Sequence, residues 1–277
     1  MDFLIINGEI VRKEAANLTY LFWNNSVILS QEIWFGFGGI PLFSKNIDFM
    51  RQQLNAFSFE TPKFLKNTRE LFRISKRMLN KNKLYRSGLI NIQLFIHQSK
   101  INYIITSSSF AEFEFPISEK GLLVNFAELQ KYSGDRLARY SFHNRTNWKI
   151  VDAQLRDSSF QNSIITNEKE MICEGMNSNV FMVKDNVLIT PSLDSGCFED
   201  TIRTPILEVA AELQLKSIEI SNIKKERIFE MNEVFLASEE YGIQCVLGIE
   251  NKRFVHQLAA QIHEKLNDYL KEKVKIE

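Results

Sequence analysis

The chain has 277 residues, 44% of them hydrophobic and 25% charged, a composition that excludes a disordered or collagen-like protein and gives enough chain for one large domain or two modest ones. Lys+Arg and Asp+Glu both number 34, so no net charge draws the protein to nucleic acid or to an anionic membrane, although a local basic run remains over residues 63–83. Three widely spaced cysteines without a CxxC read as reduced thiols, and no segment has the roughly 18 apolar residues of a membrane span, so a cytoplasmic protein is expected.

In chain order, FLII and EIV flank Asn7-Gly8, a pair that predicts a tight hairpin because both residues tolerate positive φ. NSVILSQEIWF (25–35) and the segment after GFGG (36–39) read as a further pair of strands. GFGG superficially looks like a phosphate loop, but Pro41 and apolar residues follow where a helix should start, which argues against a dinucleotide site. Residues 46–57 and 62–82 have helical spacing; in the second, Phe64, Leu65, Leu71, Phe72, Ile74 and Met78 fall near one stripe. LINIQLFIH and KINYIITSS read as strands joined by a short polar turn, and Pro116 interrupts the pattern that follows.

A boundary near 115–122 therefore divides a small N-terminal α+β domain, 1–118, from a larger C-terminal α/β barrel-like domain, 119–277. The second part begins its clear pattern with SIIT and EMICEG around a turn at 167–169, then NVFMV and VLITP around a turn at 184–186. Residues 199–214 read as a helix, SIEISNI as a strand, KKERIFEMN as a short helix, EVFLASE as a strand and 254–273 as a long amphipathic helix.

One polar cluster stands out. YSFHNRTNWKIVDAQL (140–155) packs His143, Asn144, Arg145, Thr146 and Asn147 together where a helical pattern begins, and further on runs CEGMNSNVFMVKDNVLITPSLDSGCFEDTIR (173–203). In this second run Glu174, Ser178-Asn179-x-Phe181, Thr190-Pro191 and Arg203 follow the order and spacing of the class-IV aminotransferases, the fold-type-IV pyridoxal-phosphate enzymes. INGEIV, Glu32 and the late EVFLASEEYGIQCV extend the likeness over essentially the whole chain. The resemblance implies an α+β fold of a small N-terminal sandwich and a larger barrel-like domain, a homodimer, and a ligand cleft between the domains. It also implies the chemistry of branched-chain or D-amino-acid aminotransferases, or of 4-amino-4-deoxychorismate lyase.

That chemistry needs a lysine for the cofactor imine, a carboxylate to keep the pyridine nitrogen protonated, and an anion cup for the phosphate. By resemblance Glu174 is the carboxylate, and Asn179, Thr201 and Ile202 line the cofactor site. The family's HK-x-x-N, however, becomes His143-Asn144-Arg145-Thr146-Asn147, with Asn144 at the lysine position. His143 and Lys149 are the remaining candidates for a base; His143 cannot form an imine, and Lys149 lies inside the predicted helix.

The cup departs as well. Phe49 replaces its arginine, Asp200 its glycine and Glu239 its late threonine, while Trp148 stands where relatives place a smaller ring. A carboxylate about 5 Å from a unit negative charge costs on the order of 3 kcal/mol at an effective dielectric of about 20, so these changes oppose a phosphate. A helix-capping role for Glu199-Asp200 competes with cation binding, and Thr146 or Asn147 also suits a cap. The four histidines show no metal spacing, and Ser107-Ser108-Ser109 lacks a G-x-S-x-G setting.

The leading expectation is a class-IV aminotransferase-like protein that has lost pyridoxal-phosphate catalysis, with no bound cofactor and a regulatory or small-molecule-binding role. The competing one is an active aminotransferase or lyase that uses an atypical base and pyridoxal phosphate. A third pairs Glu174 with His143 as acid and base on another substrate.

Overall fold

A computed structural model of the chain describes residues 2–16, 27–97 and 100–276, apart from the side chain at position 119. Contacts divide it into two compact units: Met1–Phe115 together with Leu270–Glu277, and Pro116–Tyr269. Residues 270–277, assigned from the sequence to the second part, thus cluster with the first.

The first unit is built on a five-stranded antiparallel sheet in the order β2-β1-β5-β4-β3. Its strands are β1 (Phe3–Ile6), β2 (Glu9–Arg12), β3 (Val27–Phe35), β4 (Gly88–His97) and β5 (Lys100–Ser109). Asn7 and Gly8 take φ of 47° and 96° and make the expected turn. The polar turn expected between β4 and β5, and the first two residues of the 25–35 strand, lie outside the described residues.

The segment after GFGG is not a strand. Gly36 bridges Gly39 around Phe37 and Gly38, both at positive φ, and the chain enters helix α1 (Phe43–Ala56) within a few residues. The partner of β3 is β4, paired without a slip from Val27↔Ile96 to Phe35↔Gly88. A buried amide chain fastens α1 to the sheet: Gln53 Nε2 donates to Gln31 Oε1 at 2.9 Å, and Gln31 Nε2 to Asn46 Oδ1 at 2.7 Å. Buried polar groups of this kind must be paired, so each fixes its neighbour's orientation.

The helix expected over 62–82 is broken. Asn67 ends α2 (Lys63–Lys66) and accepts the Glu70 amide to cap α3 (Thr68–Lys81), which buries Leu71, Ser75, Met78 and Leu79.

The second unit carries a larger mixed sheet in the order β11-β10-β9-β12-β13-β6-β7-β8, with β14 paired to β13. Its strands are β6 (Ile117–Lys131), β7 (Asn162–Asn167), β8 (Ile172–Gly175), β9 (Asn179–Lys184), β10 (Val187–Pro191), β11 (Lys216–Ile220), β12 (Glu233–Ser238), β13 (Gly242–Ile249) and β14 (Lys252–Arg253). The tight turn 175–178 joins the end strand β8 to the interior strand β9, so the sheet curls on itself as a barrel does. Inside the curl, Val124, Ile164, Val180, Met182, Val234, Leu236 and Val246 are buried.

Helix α4 (Ser141–Leu155) lays Trp148 and Val151 on Ile165 and Phe198, and α5 (Arg203–Glu212) buries Ile206, Val209 and Ala210. The last helix, α6 (Gln257–Ile276), starts under the buried Glu233 carboxylate, which accepts the amides of Leu258 and Ala259 at 2.9–3.1 Å. An anion at that end complements both the unpaired amides and the helix dipole.

Candidate functional site: a carboxylate hub and an acidic turn

The described site lies entirely in the second unit, where the ends of β6, β8 and β9 meet the entrances of α4 and α5. Glu174, on β8, has no solvent exposure. Burying a carboxylate is costly unless donors surround it. Here three do: Trp148 Nε1 donates to Oε1 at 2.8 Å, while the Phe198 amide and the Lys131 ammonium both donate to Oε2 at 2.5 Å.

Lys131 is the unexpected member. It is the last residue of β6, which pairs with β7, and β7 in turn pairs with β8; the long side chain crosses this spacing to reach Glu174. Its ammonium also donates to the Ala138 carbonyl at 3.2 Å. The sequence offers only an alternating NFAELQK run, in which a terminal lysine has the look of a solvated strand end. Nothing local signals that it turns inward.

Asn144 is 1% exposed and held within its own segment. Its Nδ2 donates to the carbonyls of Ala138 at 2.6 Å and Tyr140 at 2.8 Å, and its Oδ1 has no hydrogen-bond partner among the described residues. Ala138 O therefore ties Asn144 and Lys131 together. His143 points elsewhere: it is exposed, with Nε2 2.6 Å from Asp135 Oδ2, and no hydrogen bond joins it to Glu174 among those of the described residues. Lys149 is exposed on the outside of α4. No side-chain bond caps α4 at its N-cap, Tyr140.

At the other end, α5 begins at Arg203, later than the expected 199, because Asp200 folds back on the turn. Its Oδ1 accepts the Ile202 amide at 2.9 Å and its Oδ2 accepts the Glu239 amide at 3.1 Å. Asp200 thus has the cap-like role weighed for it, serving both the helix entrance and the 238–240 segment. Thr201 Oγ1 donates to the buried Glu239 carboxylate, and Asn179 spans the turn by accepting the Asp200 amide at 3.1 Å and donating to the Phe198 carbonyl. Ile202 is fully buried. Arg203 is committed to Thr190 Oγ1, the Pro191 carbonyl and Glu219.

Phe49 is buried on α1 of the first unit, and Arg51 braces the same helix against Leu65 O and Thr68 Oγ1. All three cysteines are buried; burial pushes the Cys173 thiol far above its ordinary range and that of Cys197 up to about 11. Among the described residues no cluster of three His, Cys, Asp or Glu side chains could hold a metal ion.

The fold is that of the fold-type-IV scaffold. Residues 51–247, most of the chain, match the family described as amino-transferase class IV, and the chain belongs to that family. A probable branched-chain-amino-acid aminotransferase of Thermotoga maritima is 35% identical over 86 residues, 31% of this chain and 31% of that protein. That match spans about a third of the curated relative's length.

Among solved structures, the branched-chain aminotransferase of Thermoproteus uzoniensis with norvaline superposes with a TM-score of 0.85 at 16% identity, covering 98% of this chain and 95% of that one. The Thermobaculum terrenum branched-chain aminotransferase in its PLP form gives 0.84 at 16% identity, covering 98% and 94%. At these identities the likeness establishes the fold.

Proposed function

We propose that this chain is a class-IV family member that no longer carries out pyridoxal-phosphate chemistry and keeps the scaffold for a regulatory or small-molecule-binding role. The observation that carries the reading is the Lys131–Glu174 contact. A protonated ring nitrogen would need a free lone pair on Glu174. Three donors already take most of its about four acceptor sites, and one of them is a cation that would repel a pyridinium. The residues present therefore do not suit the cofactor at this end.

Two further features support the same reading. Asn144 has no amine to form an imine, and its amide is spent on Ala138 and Tyr140. Asp200 places its own carboxylate on the Ile202 and Glu239 amides, where a phosphate would have to displace a fixed anion.

A second reading, an atypical active enzyme, is favoured by one fact: Lys131 is a buried primary amine in the same cluster. To act as the imine lysine it must leave Glu174, stripping a buried carboxylate of its counter-ion. The two readings separate by incubating the protein with pyridoxal phosphate, reducing with borohydride and mapping adducts by mass spectrometry. The expected result is no adduct at Lys131 above the level at exposed surface lysines. A stoichiometric adduct at Lys131, or at Lys149, overturns the proposal.

A further inference from the structure

The first unit holds a cavity of about 250 Å³ beside the Asn7–Gly8 turn, walled by α2 and the start of α3, that plays no part in the Glu174 site. Its floor is apolar, from Leu71 and Ile74, and its wall is aromatic: the Phe64 and Tyr103 rings stack with centroids 3.9 Å apart. Gly8, at φ 96°, is required twice over. It makes the turn, and a Cβ there would come within 3.3 Å of the Tyr103 hydroxyl, so any larger residue presses on that wall.

The mouth has the opposite character. Lys63 is exposed at the cavity rim, and residues 63–83 carry eight Lys or Arg (63, 66, 69, 73, 76, 77, 81 and 83) against Glu70 alone. Glu70 is itself bonded by Arg73 at 2.9 Å. Among the lining residues the charged ones are Lys63 and Glu70, and with Glu70 held by Arg73, Lys63 is the cation at the opening. A merely solvated basic helix face would supply the charge but no apolar chamber beneath it.

We propose that this cavity is a small-molecule site for a compact organic anion with an apolar or single-ring body: the ring against Phe64 and Tyr103, the carboxylate toward Lys63. The size fits that class. A cavity of about 150 Å³ accommodates benzene, and drug-sized ligands need about 300 Å³ or more, so one ring with a short acid chain is matched here.

The test titrates the full chain with 3-phenylpropionate, its neutral amide and acetate, following backbone amide shifts by NMR. The acid is expected to shift Gly8, Phe64 and Tyr103 saturably. Acetate should leave them in place, and the amide should bind roughly five-fold more weakly, as expected for one partly solvated charge contact. Lys63→Glu should weaken the acid by at least that factor, and Ile74→Trp, which fills the chamber, should abolish binding. Lys63 is exposed, so its variant carries the test alone if Ile74→Trp unfolds early. Equal affinity for acid and amide, binding unaffected by Lys63→Glu, or no saturable shift at these three residues overturns the inference.

Discussion

The two ends of the Glu174 site neutralise a carboxylate by different means. At one end a fully buried Glu174 is balanced by a buried side-chain cation, Lys131. At the other, the half-buried Asp200 is balanced by the backbone amides of Ile202 and Glu239. A cation on a long side chain can be deleted by one substitution, leaving a bare charge in the interior. Amides belong to the main chain, and removing their acceptor leaves only neutral donors unpaired. The same formal charge is therefore fragile at one end and tolerant at the other.

Substitutions probe that contrast in descending order. Lys131→Met should cost about 3–5 kcal/mol in urea unfolding, the usual penalty for orphaning half of a buried ion pair. Adding Glu174→Gln should recover most of it. A loss below about 1 kcal/mol for the single variant would show that Glu174 is held by Trp148 and Phe198 without need of its cation, and the contrast would collapse.

Asp200→Ala should cost less, about 1–2 kcal/mol, for two unpaired amides. A stabilised Asp200→Ala protein would instead mean that repulsion from the neighbouring Glu239 outweighs the bonds. Asp200→Asn, keeping one acceptor without the charge, distinguishes the two terms.

The smallest effect sharpens the comparison at the solvent edge, just past the end of β6. Glu168 accepts from Ser133 Oγ at 2.7 Å and from the Ser133 amide at 2.9 Å, and these bonds hold its carboxyl at about 2, below the ordinary 4.5. A depressed carboxyl contributes stability that is complete above its ordinary value, so this contribution should fade as pH falls from 4.5 toward about 2. Ser133→Ala should raise the Glu168 midpoint in a carboxyl-carbon NMR titration and slightly lower stability at neutral pH, with the difference from the parent shrinking as pH falls toward about 2. An unmoved midpoint would assign the depression to another group.

What the sequence reveals here divides along the same line as local and non-local chemistry. The turns at Asn7-Gly8 and at Asp185-Asn186, both with positive φ, are legible because the residues that need that conformation are also the ones that tolerate it. Family order singles out Glu174, Asn144 and Asp200, and the structure buries the first two and half-buries the third. Helix α1 is legible over 46–57, but its start at Phe43 is hidden because its N-cap, Leu42, offers no side-chain bond, so nothing announces it after Pro41. The onset of α5 is misplaced because Glu-Asp-Thr has the pattern of a cap, yet Asp200 bonds two residues ahead and holds the turn open to Arg203. Lys131 is hidden most deeply, since its partner is 43 residues away and only strand pairing brings them together.

Helix α6 is one continuous element, yet its last seven residues, 270–276, cluster with the N-terminal unit. Gly39 marks the contact: a Cβ there would sit 2.4 Å from a Val274 methyl, so bare backbone is what admits the incoming helix. During synthesis the first hundred or so residues therefore emerge long before the segment that completes their packing. The unit made first must wait for residues 270–276 to be finished, and a chain cut before them would have an opening unit without its closing piece.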